Sequence, residues 1–581
     1  MANIMSLKSL RNKTSRNGFD LSSKRNFTAK AGELLPVKTW EVLPSDTFRI
    51  DLKAFARTQP LNTAAFARMR EYYDFYFVPY DLLWNKANTA LTQMYDNPHH
   101  AVSFDPTVNF VLSGDMPYLT CHQIADYLNG VASDITDKSV KNYFGYNRGL
   151  LSAKLLEYLG YGNFYSYAED SGYNWSDNPL KNNLQLNLFG LLAYQKIYAD
   201  FYRDSQWEKI SPSAFNVDYM DGQDMNLDIS GSVRFSENYN MFDLRYCNWQ
   251  KDLFHGVVPR AQYGDVASVS FGGNVTLNGN VVQNAAGLSS SNLSTSIKLA
   301  SGTAPASSPL SFDSSFNILA LRQAEFLQKW KEITQSGNKD YKEQVEKHWN
   351  VSPGDGFSEM CTYLGGISSS MDINEVVNNN ITGDYAADIA GKGTGISNGV
   401  INFNSQGRYG LVMCIYHCLP LIDYTTDLVS PIFTKVNAAD YAIPEFDRVG
   451  MQQVPLALFS NPALSEFGSL VIDHMGYAPR YIDYKTDVDS SVGAFKTTLN
   501  SWVISYDNGS LVKQLGNVDS NNQPSPSAAP LNYTMFKVNP DSLNPIFAVD
   551  ADSTVDTDQF LCSSFFDVKV VRNLDTDGLP Y

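Results

Sequence analysis

Charged side chains are scarce in this sequence. They make up 18% of its 581 residues, against roughly a quarter in ordinary soluble domains, and the formal net charge is −17. A chain this acidic is poorly suited to coating nucleic acid with its whole surface, because phosphates repel it. A surface with so few charges must be polar through Asn, Ser, Thr and Gln, or must be covered by neighbouring subunits.

Cysteine and histidine are also few. The six cysteines are irregularly spaced over a long chain, which argues against a disulfide scaffold and favours folding in a reducing cytoplasm. The seven histidines lie in no metalloprotease or nucleophile-elbow motif. The sequence therefore predicts no catalytic residue, no bound cofactor and no metal ligand set, and gives no positive case for an enzyme.

Long apolar runs are missing as well. No uninterrupted stretch approaches the ~18 apolar residues that a membrane helix needs. The basic residues near the start are not followed by the apolar run and small-residue cleavage site of a secretory signal. The sequence therefore predicts no membrane insertion, and synthesis in a cytoplasm.

The segment Cys414 to Cys418, with His417 beside the second cysteine, has the residue types of a zinc site. In a strand, however, Cys414 and Cys418 would lie about 13 Å apart at ~3.3 Å per residue, with His417 on the opposite face. Tetrahedral zinc bonds of about 2.0–2.3 Å cannot span that distance. The pattern favours buried structural cysteines.

Two other motifs fail similar tests. The acidic residues of 550–558 lack the glycine and glutamate of a calcium-binding EF-hand loop, having Val555 and Leu561 at those positions. An irregular divalent-cation site formed from several loops stays open. The glycine-rich run Gly391–Gly395 has Ala386 where a phosphate-binding loop needs glycine, so it predicts a polar loop. The acidic residues are Asp550, Asp552, Asp556 and Asp558.

Aromatic residues are abundant, at 13% of the chain. The clearest strand runs from Tyr72 to Tyr80, where Tyr73, Phe75 and Phe77 alternate with more polar positions. Pro79 is expected to end its pairing. Strand patterns recur towards the end of the chain, and apolar residues at helical spacing occupy the middle, beginning with the capping-box pair Thr120 and Gln123.

Composition changes between residues 264 and 316. Gly, Ser, Asn, Thr and Ala dominate this segment and charge almost vanishes. Valines recur at short spacing, with Asn278-Gly279 as a candidate turn, so short hairpins are expected rather than a flexible linker. The order of patterns along the chain indicates one discontinuous β domain with expanded connections.

Several stretches closely resemble the major capsid protein of the Microviridae, the small tailless icosahedral phages with single-stranded DNA, especially the gokushovirus-like and gut-associated lineages. The longest are ARTQPLNTAAFARMREYYDFYFVPYDLLW at 56–84 and DQFLCSSFFDVKVVRNLDTDGLPY at 558–581. Others are GFDLS at 18–22, FTAKAGELLP at 27–36, FHGVVPRAQYGD at 254–265, FNILALRQAEFLQKWKE at 316–332, IPEFDRVGM at 443–451 and YAPRYIDYKTDVD at 477–489. They span nearly the whole chain in order.

The resemblance implies an eight-stranded antiparallel jelly roll with long helical and loop insertions, assembling into a T=1 icosahedral shell around a circular single-stranded DNA genome. It implies an internal scaffolding protein, a minor capsid or pilot protein and a small basic DNA-condensing protein as partners. The 264–316 segment resembles the insertion that forms a threefold surface protrusion and is thought to meet a host receptor. The expected location is the virion, assembled in the bacterial cytoplasm.

These expectations divide the chain into five segments. They are a basic N-terminal arm (1–38), a first part of the jelly roll with helical insertions (39–263), a variable insertion (264–316), helices with a loop insertion (317–400), and a second part of the jelly roll with a C-terminal arm (401–581). Residues 365–410 match no pattern of the resemblance.

Basic side chains concentrate at the N-terminus. Residues 1–30 hold seven basic residues and one acidic residue, a net of +6, which leaves −23 for the remainder. Four of them are predicted to face the shell interior and contact DNA or an internal partner weakly: Lys8, Arg11, Lys13 and Arg16. A solvated tail without a partner is the alternative.

Two other classes of function share parts of this composition. A glycan-binding β-sandwich of a gut bacterium would have a similar aromatic and Asn-rich surface, but it would need export. A hydrolase on a β scaffold would need a convergent set of carboxylates or a nucleophile, and none stands out in the sequence.

Overall fold

The computed structural model describes residues 15–92, 116–121, 123–125, 142–164, 184–220, 240–265, 267, 276–277, 280–281, 318–338, 340–377, 389–426, 428–448, 450–459, 474–506, 533–548 and 558–576. The chain divides into two compact units. One comprises Met1–Pro259 with Ser358–Tyr581, and the other comprises Arg260–Phe357.

Strands dominate the first unit, and the elements of both units are numbered together along the chain. In chain order the strands are β1 (Asn17–Asp20), β2 (Ser23–Ala29), β3 (Leu35–Val42), β4 (Thr47–Thr58), β5 (Arg68–Pro79), β6 (Tyr118–Thr120), β7 (Gln185–Asn187), β8 (Thr276–Leu277), β9 (Asn280–Val281), β10 (Thr362–Val377), β11 (Ile389–Asn404), β12 (Gly410–Leu421), β13 (Asp423–Tyr424), β14 (Met451–Pro455), β15 (His474–Pro479), β16 (Ser505–Tyr506) and β17 (Phe560–Arg572). The helices are α1 (Ala87–Thr92), α2 (Arg148–Leu159), α3 (Phe189–Ile197), α4 (Ile318–Gln335), α5 (Tyr341–Trp349) and α6 (Leu456–Phe459).

The main sheet has the strand order β1-β17-β4-β11-β10-β5-β12-β3, with β2 also paired to β17. Its pairings are antiparallel. The hairpin β10–β11 joins the two halves. Its strands pair with each other only from Asp372↔Thr394 to Val377↔Ile389, after which β10 pairs with β5 and β11 pairs with β4.

The strand order is that of a jelly roll. With β1 and β2 counted as one strand, the eight long strands lie in the order 1-8-3-6 in one half and 5-4-7-2 in the other. Two interlocked Greek keys give this order. The predicted mainly β class and the eight-stranded antiparallel jelly roll are confirmed.

The core lies between the two halves and is largely aromatic. In β5 the side chains of Tyr73, Phe75 and Phe77 are buried, as the alternation predicted, and Pro79 is the last residue of the strand. Trp40 contacts rings of both halves, stacking on Phe75 and meeting the Phe566 ring edge to face. Such ring pairs stabilise a core beyond their burial.

Glycines allow the close approach of β11 to its neighbours, and they correct one prediction. The run Gly391–Gly395 is part of β11, not a loop. A Cβ built on Gly391 would lie 2.3 Å from the carbonyl oxygen of Thr63, so only glycine fits there. Without an apolar alternation, this glycine-rich strand gave no recognisable strand signal.

Two of the predicted segments contain strands of the main sheet. The expected N-terminal arm, 1–38, contains β1, β2 and the beginning of β3, and the expected helix-and-loop insertion, 317–400, contains β10 and most of β11. In both places polar and charged residues form strands because they pair with neighbouring strands of the main sheet. The five segments and their boundaries stay predictions.

The helical predictions agree with the described residues. The backbone N–H of Gln123 donates to the Thr120 hydroxyl at 3.2 Å, while the Gln123 carboxamide oxygen accepts from the Thr120 N–H at 2.9 Å, which is the predicted capping box. Leu319, Phe326 and Trp330, which recur at helical spacing further along the chain, lie in α4. None of the described helices is long and apolar enough to span a membrane.

Candidate assembly surfaces

The four basic residues predicted to face the interior are only partly covered by the structure. Lys8, Arg11 and Lys13 lie outside the described residues. Arg16 is exposed immediately before β1, and its guanidinium donates to the Ser45 carbonyl at 3.1 Å and to the Thr47 hydroxyl at 2.9 Å. Arg16 therefore lies against the start of β4.

The Cys414–Cys418 segment is a central strand rather than a metal site. Both cysteines are fully buried in β12, where burial raises the pKa of each thiol well above its usual value. His417 is stacked on the Tyr72 ring, with 4.8 Å between ring centroids. Across the described parts of the chain, no group of three or more His, Cys, Asp or Glu side chains could hold a metal ion.

The acidic segment 550–558 contributes one described residue. Asp550, Asp552 and Asp556 lie outside the described residues. Asp558 is buried and accepts hydrogen bonds from the ammonium of Lys154 in α2, which also donates to Glu33 at 2.8 Å. The carboxylate is thus neutralised by a buried cation instead of facing a loop.

Residues 428–448, between β13 and β14, present an unusually apolar surface. Ile432, Phe433 and Val436 are 70%, 80% and 81% exposed. They lie on or beside a single helical turn, Pro431–Thr434. Large apolar side chains this exposed and this close together mark a surface that another protein covers.

Polar contacts hold the 428–448 segment in place. The ammonium of Lys435 lies 2.6 Å from Oδ2 of Asp483 and 3.6 Å from the centroid of the Tyr484 ring. Asp440 accepts hydrogen bonds from the backbone N–H groups of Val436 and Asn437 at 3.0 and 2.8 Å. The exposed side chains are therefore displayed from a fixed backbone, which lowers the entropy cost of association.

The second unit, Arg260–Phe357, is built on the helices α4 and α5. Gln344 in α5 donates to the Thr334 carbonyl at 3.3 Å, and His348 lies 3.1 Å from the Thr334 hydroxyl. The Trp330 and His348 rings stack at 6.0 Å. Several aromatic side chains of this unit are exposed all the same: Phe326, Trp330, Tyr341, Trp349 and Phe357.

The variable segment 264–316 is described only in part. The strands β8 and β9 pair antiparallel, with Thr276 opposite Val281 and Leu277 opposite Asn280. This pairing fits the predicted hairpin, although the turn residues Asn278 and Gly279 themselves lie outside the described residues.

Sequence reasoning missed the 428–448 surface. The resembling stretch at 443–451 overlaps it, but nothing in the pattern of residues 428–442 separates an exposed apolar side chain from a core residue. One signal could have been used. In this segment apolar residues occur among Pro, Asn and Asp at no regular spacing, and such a pattern predicts a loop with exposed apolar side chains. The exposed apolar side chains of residues 428–448 can be buried against a partner protein.

The chain matches known capsid proteins over most of its length. A family model described as "Capsid protein (F protein)" matches residues 8–148 and 165–581. The chain is similar to capsid protein VP1 of Chlamydia phage 1, with 23% identity over 640 residues that cover 97% of this chain and 95% of the relative. It is also similar to capsid protein VP1 of Bdellovibrio phage phiMH2K, with 21% identity over 519 residues and 83% of each chain.

Proposed function

Because this chain belongs to the capsid protein (F protein) family of the Microviridae, we propose that it assembles into a T=1 icosahedral shell around a circular single-stranded DNA genome. The family is one of structural virion proteins, so the chain is a capsid component and not an enzyme. The observation that carries the proposal is the rigid, exposed apolar surface of residues 428–448 on a jelly roll.

Contacts around fivefold and threefold axes are heterologous: one patch on each subunit meets a different patch on the next, and the ring closes. Ile432, Phe433 and Val436 supply such a patch. Burial of such surfaces between copies agrees with the low charge and high aromatic content of the chain, since charge depletion and aromatic enrichment characterise interface cores.

The partners follow from the same function. We propose an internal scaffolding protein during assembly, a minor capsid or pilot protein, and a small basic protein that condenses the genome. The net charge of −17 leaves most charge neutralisation to that small protein. Lys8, Arg11, Lys13 and Arg16 would add weak contacts to DNA or to an internal partner from the inner surface.

Residues 264–316 are proposed to form the threefold protrusion that attaches the particle to its host. Support comes from the separate compact unit that contains them, Arg260–Phe357, and from the exposed aromatic side chains of that unit. A particle whose 264–316 segment is replaced by a short Gly-Ser linker is expected to assemble but not to adsorb to host cells. Normal adsorption would contradict the attachment role.

Electron microscopy of the full chain, expressed alone and with its scaffolding protein, tests the main proposal. Hollow shells with T=1 geometry are the expected result. A soluble monomer that binds a sugar would instead support a glycan-binding β-sandwich, an alternative that the capsid relatives do not favour.

A further inference from the structure

One surface of the jelly roll combines cations with exposed rings. It belongs to the half formed by β2, β17, β4 and β11. Every second residue of these strands points away from the core, and these residues form what is here called the outer surface of the sheet. Three successive rows across these strands are set by the register. From β2 to β11 the rows read Thr28–Leu561–Arg57–Thr394, Asn26–Ser563–Phe55–Ile396 and Lys24–Phe565–Lys53–Asn398.

These three rows, here called the cationic face, contain no acidic residue. Lys24, Lys53 and Arg57 are exposed, and none of them forms an ion pair with a described residue. The acids of the same surface begin one row further along, at Asp51 and Asp567. There Lys569 forms ion pairs with Asp20 and Asp567. On a chain of net charge −17, the cationic face is a local concentration of uncompensated positive charge.

Two phenyl rings lie among these cations. Phe565 is 41% exposed, and Phe55 is half-buried beneath the guanidinium of Arg57, which lies 4.9 Å from its ring centroid. Phe565 is opposite Lys53 and Phe55 is opposite Ser563, so the two rings occupy diagonal positions about 7–8 Å apart. Neighbouring Asn26 and Asn398 add amide donors and acceptors.

We propose that the cationic face binds single-stranded DNA of the packaged genome, and therefore lines the inside of the shell. Proteins that hold single strands without sequence preference combine a cationic track for the phosphates with aromatic rings for the bases. The cationic face has both, with the amides of Asn26 and Asn398 at its margin. This inference rests on the proposed function, because it assumes that the shell encloses such a genome.

Charge favours DNA over a second copy of the chain as the occupant. An interface core between subunits is depleted of lysine, and a neutral partner would leave Lys24, Lys53 and Arg57 desolvated without counter-charges. A DNA strand supplies one phosphate per nucleotide along its path. An acidic partner protein is the competing occupant that the experiment must separate.

The position of Arg16 agrees with this assignment. Its guanidinium hydrogen-bonds the hydroxyl of Thr47, which lies in β4 opposite Val571 on the same outer surface. Arg16 therefore reaches the sheet on the side that carries the cationic face.

The test measures binding of the full-length soluble subunit to fluorescent oligothymidylate by anisotropy over a salt series. The variant Lys24→Gln/Lys53→Gln/Arg57→Gln is expected to bind at least tenfold more weakly, and the slope of log affinity against log salt should fall by about 2, at roughly 0.7 per lost phosphate contact. The control Lys209→Gln/Arg322→Gln/Lys329→Gln removes the same charge from other exposed positions and should bind as the unmodified chain does.

A second variant tests the rings. Phe55→Ala/Phe565→Ala is expected to weaken binding roughly tenfold with an unchanged salt slope, because stacking does not release counterions. Thermal unfolding of each variant verifies that it is folded.

Equal losses in the two triple-glutamine variants, or unchanged binding in the cationic-face variant, would overturn the inference. The inference would also be overturned if the cationic-face variant lost binding to the scaffolding protein but still bound oligothymidylate. It would be overturned as well if that variant folded but formed no shells under conditions in which the unmodified chain forms them. Electron microscopy separates these results from failure of the proposed function, in which the unmodified chain itself forms no shell.

Discussion

The Nζ atom of Lys154 lies 2.8 Å from Oε2 of Glu33, and both side chains are almost completely enclosed. Asp558 completes the cluster, with both carboxylate oxygens 3.0 Å from the same ammonium. Burial opposes the charged form, but the carboxylates of Asp558 and Glu33 raise the pKa of Lys154 above its usual value. The cluster ties α2 to the residues preceding β3 and β17.

Lys154→Met is therefore expected to destabilise the subunit by about 3–5 kcal/mol, because the buried carboxylates of Glu33 and Asp558 would lose the ammonium that hydrogen-bonds both of them. Urea denaturation of the soluble subunit measures the change. Lys209→Met, at an exposed position, is the matched control and should change the free energy of unfolding by less than about 0.5 kcal/mol. Equal effects of the two substitutions would refute a specific role for the buried ammonium.

His417 makes the fold sensitive to acid. Burial lowers the pKa of His417 to about 3, whereas the unfolded chain has a histidine pKa of about 6.5. Between these two pH values the unfolded state binds more protons than the folded state. The contribution of neutral, buried His417 to the stability of the fold is therefore fully present above about pH 6.5 and is lost as the pH falls. The expected loss from pH 7.5 to pH 5 is up to about 2 kcal/mol.

The variant His417→Gln isolates this contribution. Burial raises the pKa of the neighbouring Asp74, whose Oδ2 lies 3.8 Å from Nδ1 of His417, and this carboxyl acts in the opposite direction by favouring the fold at low pH. Urea denaturation at both pH values should show a smaller acid-induced loss in His417→Gln than in the unmodified chain. The same loss in both chains would assign the acid sensitivity elsewhere.

Gly391 is the point where β11 approaches the 61–63 segment most closely. Its N–H and carbonyl exchange hydrogen bonds with Leu61, and an added Cβ would meet the Thr63 carbonyl. We expect Gly391→Ala to cost about 1–3 kcal/mol through overpacking, read as a lower melting temperature. Gly18→Ala, where a Cβ has nothing within 4 Å, should leave the melting temperature unchanged or raise it slightly.

The exposed side chains of residues 428–448 give a prediction about assembly rather than folding. Phe433→Ser/Val436→Ser should leave the free energy of unfolding within about 0.5 kcal/mol, because both side chains are already exposed to water, yet should strongly reduce shell formation. Sedimentation and electron microscopy measure the yield of particles. Phe433→Leu/Val436→Ile keeps the apolar surface and should restore assembly; a normal yield from the serine variant would exclude this patch from subunit contacts.

The sequence predicted those parts of the fold in which a regular spacing of apolar or capping residues indicates the secondary structure. The alternation at Tyr73, Phe75 and Phe77 and the capping box at Thr120 gave a strand and a helix that the structure contains. The glycine- and serine-rich strands β10 and β11 carry little apolar signal of their own, and most residues of β10 are exposed or only partly buried. Their place in the sheet depends on pairings with β5 and β4, which no local pattern encodes.

The candidate surfaces were predicted less well. The basic residues near the N-terminus were visible as a cluster in sequence, whereas Lys53 and Arg57 are separated by apolar residues in β4 and join Lys24 only through the register with β17. Because successive side chains of a strand point to opposite faces, the sequence of β4 alone would have placed its cations and Phe55 on the same face. Exposure of Phe433 could not be read in the same way, because an apolar residue in a loop has no periodicity to define its environment.

The pairing of β17 with β1 and β4 bears on translation. Asn17 donates to the carbonyl oxygen of Leu574, 557 positions away in the chain, and β17 lies between β1 and β4 in the sheet. A ribosome must therefore release β17 before the first strands of the protein acquire their neighbour. Chains truncated upstream of that strand lack the partner that β1, β2 and β4 share and keep an open sheet edge at β4. The sheet of this half is therefore completed only after β17, which ends at Arg572, has been translated.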